Sequence, residues 1–247
     1  MEDKKLKTES LDSRYEFIDR LSDSNAIDYM LLNQQKSLDI LNKNKKDIQH
    51  VVVRISSKLE ENPSSRIIYV GAGTSGRIGV QDGVELIPTF GWSKKRLVCL
   101  IAGGDKALLE SVENAEDNEN AAKIAVKKNM ISNIDVVIGL SASGGTPYTN
   151  MVLKEARKNG ALTIGISNNK KSPLIKNSEI NITLETGSEV IAGSTRLTAG
   201  TAQKICLNTI STLVMVKLGN VVDGQMINMI PLNDKLRKRA SKILQNR

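Results

Sequence analysis

The sequence predicts an α/β protein in three α/β/α layers. Its expected core is a five-stranded parallel sheet, preceded by a long N-terminal helix and followed by C-terminal helices. Two observations carry this expectation. Apolar, β-branched runs alternate with helix-compatible stretches through the middle of the chain, as strand–helix–strand crossovers of a parallel sheet require. Two of those runs also end in hydroxyl-rich glycine loops, Gly71-Ala72-Gly73-Thr74-Ser75-Gly76-Arg77 and Ser141-Ala142-Ser143-Gly144-Gly145-Thr146. A strand, a Gly/Ser/Thr loop and a helix in that order aim free backbone N–H groups at an anion.

Taken in order, residues 1–23 are polar without a sustained period and read as an arm. From Ile27 the apolar positions Leu31, Leu38, Leu41, Ile48, Val52, Ile55 and Leu59 recur in three- and four-residue steps. They predict one long amphipathic helix ending near Glu61-Asn62-Pro63, with a stripe suited to the core or to a second subunit. Strands are expected at 66–71, 96–102, 134–140, 161–166 and 180–184. Helices are expected between them at about 75–87, 105–129 and 147–159, with a short one near 172–177. Two more are expected over about 195–218 and 232–246. No internal repeat or low-complexity linker divides the 247 residues, so 24–247 read as a single domain behind the arm.

Composition narrows the chemistry. No apolar stretch reaches the roughly 18–20 residues of a membrane span, and the charged N-terminus lacks a signal segment. A cytoplasmic location is the expectation. Cys99 and Cys206 form no spaced framework, and His50 is the only histidine, so acid–base work falls to carboxylates, Lys or Tyr. The net charge of +8 is scattered over lysines at both termini, on helices and in loops, while aromatics make up only 3%. That combination offers few stacking platforms and argues for anionic metabolites rather than nucleic acid.

Gly71-x-Gly73-x-x-Gly76 has the dinucleotide spacing, but that fingerprint expects an acidic residue about 20 positions on, at the end of the second strand. The first acid after that strand is Asp105, too far along. Thr74 and Ser75 instead add hydroxyls suited to a phosphate. In the second loop Ser141, Ser143 and Thr146 can surround a phosphate while Gly144 and Gly145 let the backbone approach. Two carboxylates then stand out. Glu85 is flanked by apolar residues about three turns into the helix after the first loop, where desolvation would raise its pKa and suit it to general acid work. Glu116 lies in an acidic cluster expected near the C-terminal edge of the sheet; a solvated helix face is the alternative there.

These residues lead to a family. The run Ile68-Tyr69-Val70-Gly71-Ala72-Gly73-Thr74-Ser75-Gly76-Arg77 closely resembles N-acetylmuramic acid 6-phosphate etherases. So do Pro88-Thr89-Phe90-Gly91, Ile101-Ala102-Gly103-Gly104, Ala115-Glu116-Asp117, Ala142-Ser143-Gly144 with Thr146-Pro147-Tyr148, and Gly193-Ser194-Thr195-Arg196 with Ala199-Gly200-Thr201-Ala202-Gln203-Lys204. The resemblance spans about residues 66–246, with a fainter match at Thr8-Glu9. It implies a sugar isomerase (SIS) fold, a homodimer, no metal or organic cofactor, and cleavage of the D-lactyl ether of N-acetylmuramate 6-phosphate. By motif position Glu85 matches the acid–base residue at the ether oxygen, and Glu116 the base at carbon 2. Gly73, Thr74, Ser75, Gly76, Arg77, Ser141, Ser143, Gly144, Thr146, Ser194 and Thr195 become the expected substrate contacts. Ser194 and Thr195 could equally cap the helix expected from 195. Gly145 stands where the family usually has Arg, and Thr198 where it usually has Lys. The family usually continues into a small C-terminal helical domain, which is not expected within these 247 residues. A sugar-phosphate-sensing regulatory protein and an aldose–ketose isomerase of the same fold are the alternatives.

Overall fold

A computed structural model describes residues 6–231. Five parallel strands form the sheet, in the order β2-β1-β3-β4-β5: β1 (Ile67–Gly71), β2 (Leu97–Ile101), β3 (Val136–Ser141), β4 (Leu162–Ser167) and β5 (Ile180–Thr183). Each strand lies within two residues of its expected position. Strands buried on both faces read as continuous apolar runs, and successive side chains here enter opposite layers. Ile67 and Tyr69 of β1 join one core while Ile68 and Val70 join the other.

The first core is closed by α2 (Lys45–Glu61), α3 (Gly73–Phe90) and α7 (Thr198–Lys217), with α1 (Asp23–Lys43) packed on α7. The second is closed by α4 (Glu119–Lys128), α5 (Pro147–Lys158) and the short α6 (Pro173–Asn177). A two-stranded hairpin, β6 (Val221–Val222) and β7 (Gln225–Met226), follows α7. The next segment reaches the far end of α3, where the Ile230 N–H donates to the Pro88 carbonyl. At the edge opposite the glycine loops, Arg66 forks onto Asp135 at 2.8 and 2.7 Å, joining the starts of β1 and β3. Asp135 is fully buried and also accepts the Ser132 N–H.

Three expectations are corrected. The single long helix is two helices broken at Asn44, whose φ of −98° and ψ of 13° leave the helical region. Its amide and side-chain nitrogen both return to the Ile40 carbonyl and close α1. The apolar stripe divides with the helix. Leu41, Ile48, Val52, Ile55 and Leu59 are buried, whereas Ile27, Leu31 and Leu38 remain 54%, 65% and 55% exposed. Second, the helix expected over 105–129 is only Glu119–Lys128, capped by Asn118. Before it the chain makes a 3₁₀ turn at Asp105–Leu108 and passes through positive φ at Gly103, Gly104 and Asn114. Third, α7 starts at Thr198 rather than 195, because Glu189 holds its first turn: the buried carboxylate accepts the Thr198 and Ala199 N–H groups at 2.9 and 2.8 Å. The helix expected at 232–246 lies outside the described residues. The arm is docked at Thr8, whose buried hydroxyl accepts the Asn169 side-chain N–H at 3.0 Å.

Candidate active site

Strands β1 and β3 are neighbours, yet the chain leaves β1 toward β2 and β3 toward β4, on opposite sides. Such a reversal opens a crevice beyond the C-terminal strand ends, where ligands of open α/β sheets bind. Both glycine loops lie at that crevice, since Gly71 and Leu140 are paired in register.

The first loop is tight because Gly71 and Gly76 touch. A Cβ on Gly71 would lie 2.7 Å from the Gly76 nitrogen, and one on Gly76 would lie 2.9 Å from the Gly71 oxygen. The start of α3 is thereby pressed against the end of β1, and its first-turn N–H groups lack intrahelical acceptors at the crevice. Gly73 and Ala72 line a cavity of about 330 Å³ with Arg77, Ala102 and the segment 110–117, which includes Glu116. The Ser75 hydroxyl is not turned to this cavity. It is buried and donates to Gln203 Oε1 at 2.8 Å, while Gln203 donates to Asn168. Thr74 stands beside the start of α7: its methyl and the Thr195 carbonyl flank Gly200 at 3.3 and 3.2 Å from a would-be Cβ.

The second loop is a hydroxyl cluster. Ser141 Oγ lies 2.8 Å from Thr146 Oγ1 and 3.3 Å from Ser143 Oγ, and it accepts the Gly144 N–H. Ser143 Oγ accepts the exposed Gly145 N–H. Gly144 takes φ +69° and is clasped on both sides, its carbonyl receiving Leu174 N–H and Asn150 Nδ2. Pro147 opens α5, where a missing N–H is harmless.

The structure brings Glu116 to both loops. Its side chain is exposed and its residue lines the cavity beside Gly73, while its carbonyl accepts the Tyr148 N–H in the first turn of α5. It sits in a loop, not on a helix face. Ser194 and Thr195 are half-buried in turns ahead of α7, and neither side chain caps the helix. Thr198 is buried beneath α1, its hydroxyl donating to Asn33 and its carbonyl accepting from Ser37 Oγ.

The structure does not bring Glu85 to this crevice, and the expected desolvation is not found. Glu85 lies on the exposed face of α3. The buried carboxylate of that helix is Asp82, one turn earlier, which sequence reasoning does not single out. Asp82 accepts the Tyr69 hydroxyl at 2.8 Å, Ser211 Oγ at 3.0 Å and the Asn208 side-chain N–H. Burial raises its pKa above the usual carboxylate value, against the pull of those hydrogen bonds. The same burial, with Asp82 beside it, holds the Tyr69 phenol well above its usual pKa.

A profile for the glucokinase regulatory protein N-terminal SIS domain matches residues 46–157, and one for the SIS domain matches 107–212. Among solved structures, the Vibrio vulnificus NanR protein complexed with ManNAc-6P aligns at a TM-score of 0.52 and 16% identity, covering 90% of this chain and 70% of that one. A protein from Escherichia coli CFT073 aligns at a TM-score of 0.53 and 15% identity, over 83% and 97% of the two chains. Both likenesses concern the fold alone. Sequence relatives are far nearer. The N-acetylmuramic acid 6-phosphate etherase of Clostridium acetobutylicum is 48% identical over 204 residues, covering 81% of this chain and 67% of that protein. The etherase of Mycoplasma mycoides is 39% identical over 240 residues, covering 97% and 79%. With these relatives matched across most of its length, the chain belongs to the N-acetylmuramic acid 6-phosphate etherase family.

Proposed function

We propose that the chain cleaves the D-lactyl ether of N-acetylmuramic acid 6-phosphate, giving N-acetylglucosamine 6-phosphate and D-lactate in cytoplasmic recycling of cell-wall sugar. The observation that carries this reading is the placement of Glu116 between a hydroxyl-rich anion cradle and the start of α3, in a chain of this family. Opening of the sugar ring leaves carbon 2 next to an aldehyde. Glu116 removes the carbon 2 proton, and the lactyl oxygen leaves carbon 3 with a proton from Glu85. Water then adds at carbon 3, losing a proton to Glu85, and carbon 2 is reprotonated. Ser141, Ser143, Gly144 and Thr146 hold the phosphate at the N-terminus of α5. Gly73, Thr74 and Gly76 shape the sugar pocket, with Ser194 and Thr195 on its rim. Ser75 braces the loop through Gln203.

Both carboxylates must come within hydrogen-bond reach of groups on adjacent carbons. Glu116 shares its cavity with Gly73, and Glu85 lies 12 residues further along α3. At 1.5 Å per residue that is about 18 Å, too far for one chain to supply both groups to one sugar. A homodimer in which each subunit presents Glu85 to the other's crevice resolves the distance. The exposed stripe Ile27, Leu31 and Leu38 of α1, with Leu213 and Val216 of α7, supplies apolar surface for such a pairing.

The test is complementation in deuterated water. The parent protein is expected to release lactate and leave deuterium at carbon 2. Glu85→Gln and Glu116→Gln are each expected to lose lactate release by at least about 100-fold. Mixed one to one with subunit exchange, the two inactive variants should recover about a quarter of the parent activity, because half the dimers carry one intact site. No lactate from the parent refutes the etherase reading, and no recovery on mixing refutes the shared site.

A further inference from the structure

Arg77 stands near the start of α3 at the wall of the cavity, where the family resemblance implies a substrate contact. Its guanidinium is committed elsewhere. Nε donates to the carbonyls of Ala107 at 3.0 Å and Leu108 at 3.2 Å, and Nη2 donates to the carbonyl of Glu110 at 3.0 Å. All the acceptors lie in the irregular stretch between β2 and α4 that delivers Glu116.

That stretch has little structure of its own. It holds one 3₁₀ turn, glycines at positive φ, and local bonds such as Ala115 N–H to Val112 O and Asn118 N–H to Ala115 O at 3.4 Å each. Besides the burial of Ala107 and the packing of Ala115 on the second core, two hydrogen-bonded attachments tie it to the walls of the crevice. Arg77 fastens its middle to α3, and the Tyr148 N–H fastens Glu116 itself to α5. A planar guanidinium suits such a task, since its fork reaches several carbonyls at fixed angles and a lysine ammonium does not. The carbonyls ending the 3₁₀ turn also favour a cation there.

We propose that Arg77 is a positioning residue for proton abstraction: it clamps the 105–117 loop across the cavity, so that Glu116 is held over carbon 2, and does not bind the phosphate. This rests on the reading of Glu116 as the carbon 2 base. The clamp separates two quantities that a phosphate ligand would move together, the fixing of the base and the affinity for the sugar phosphate.

The experiment compares Arg77→Lys and Arg77→Ala with the parent by three readouts. These are kcat and KM for lactate release, the Kd for N-acetylglucosamine 6-phosphate, and amide hydrogen exchange across 103–118. Both variants are expected to lose at least about tenfold in kcat and in deuterium incorporation at carbon 2, with Kd unchanged within about threefold. Exchange across 103–118 should quicken at least about tenfold while the sheet amides keep their protection, which also shows that the variants fold. Lysine should not rescue, because it keeps the charge without the fork. A Kd weakened about tenfold or more in Arg77→Ala and restored in Arg77→Lys, at parental kcat, overturns the proposal in favour of a phosphate ligand. Unchanged exchange across 103–118 in Arg77→Ala overturns it as well. Should the parent release no lactate, the proposed function fails, while hydrogen exchange still decides the clamp.

Discussion

Gly144→Ala tests the phosphate cradle at its most constrained residue. At φ +69° an L-residue carries a cost of roughly 1–2 kcal/mol. The added Cβ would also overlap both Oγ and Cβ of Ser172, which is buried at the start of α6 and cannot be swung aside like the end of a long side chain. Overpacking of this kind typically costs about 1–3 kcal/mol. The two contributions together give about 2–5 kcal/mol, or a fall in Tm of roughly 4–20 °C for a chain of this size. Urea unfolding of four variants, Gly144→Ala, Gly145→Ala, Ser172→Gly and the Gly144→Ala/Ser172→Gly pair, separates them. Gly145→Ala, where φ is not positive and the nearest atom is Ser143 Oγ at 3.5 Å, should stay within about 0.5 kcal/mol of the parent. In a Ser172→Gly background, Gly144→Ala should cost only the backbone part, so the double-mutant cycle should show a coupling of about 1–3 kcal/mol. Sugar-phosphate affinity should fall with Gly144→Ala and hold with Gly145→Ala. A Gly144→Ala protein as stable as the parent, binding its ligand as tightly, would refute this account of the loop.

Two further outcomes follow from buried carboxylates. Asp135→Ala leaves the Arg66 guanidinium without the partner that raises its pKa, and should destabilise the protein by about 3–5 kcal/mol in urea titrations; a loss below about 1 kcal/mol would remove the pair from the account of stability. Asp82 has a folded pKa raised above 3.8, so its contribution to stability is fully present below 3.8 and is lost as pH rises through the folded value. Asp82→Asn cannot ionise. Its stability relative to the parent should therefore improve as the pH rises above about 4, and a pH-independent difference would contradict the assignment.

Much of this is legible in the residues. The strands can be read because buried parallel strands are unbroken apolar runs, and the crevice because two Gly/Ser/Thr loops follow two of them. The break at Asn44 is hidden, because the apolar period runs on through it from Leu41 to Ile48. The irregular stretch before α4 imitates a helix through the spacing of Leu108, Leu109, Val112 and Ala115, although Gly103-Gly104 marks a departure. The burial expected of Glu85 fails for a reason the sequence contains. Gly76, Gly79, Gly83, Leu86 and Phe90 form the inner stripe of α3 at three- and four-residue steps, with Asp82 beside it, and Glu85 falls off that stripe. The roles of Gln203 and Arg77 depend on partners distant in sequence, and that of Glu189 on a turn that folds it back onto the start of α7, neither of which periodicity reveals.

The knot at Asp82 has a mechanical consequence. It fastens α3 to β1 through Tyr69 and to α7 through Asn208 and Ser211, nine residues beyond Gly73 and three before Glu85. A rod fixed there is a clamped beam and not a lever: a push at the Gly73 end is absorbed before it reaches the carboxylate. Substrate recognition must then be expressed in the loops around the crevice, leaving the helix as the rigid datum against which they adjust.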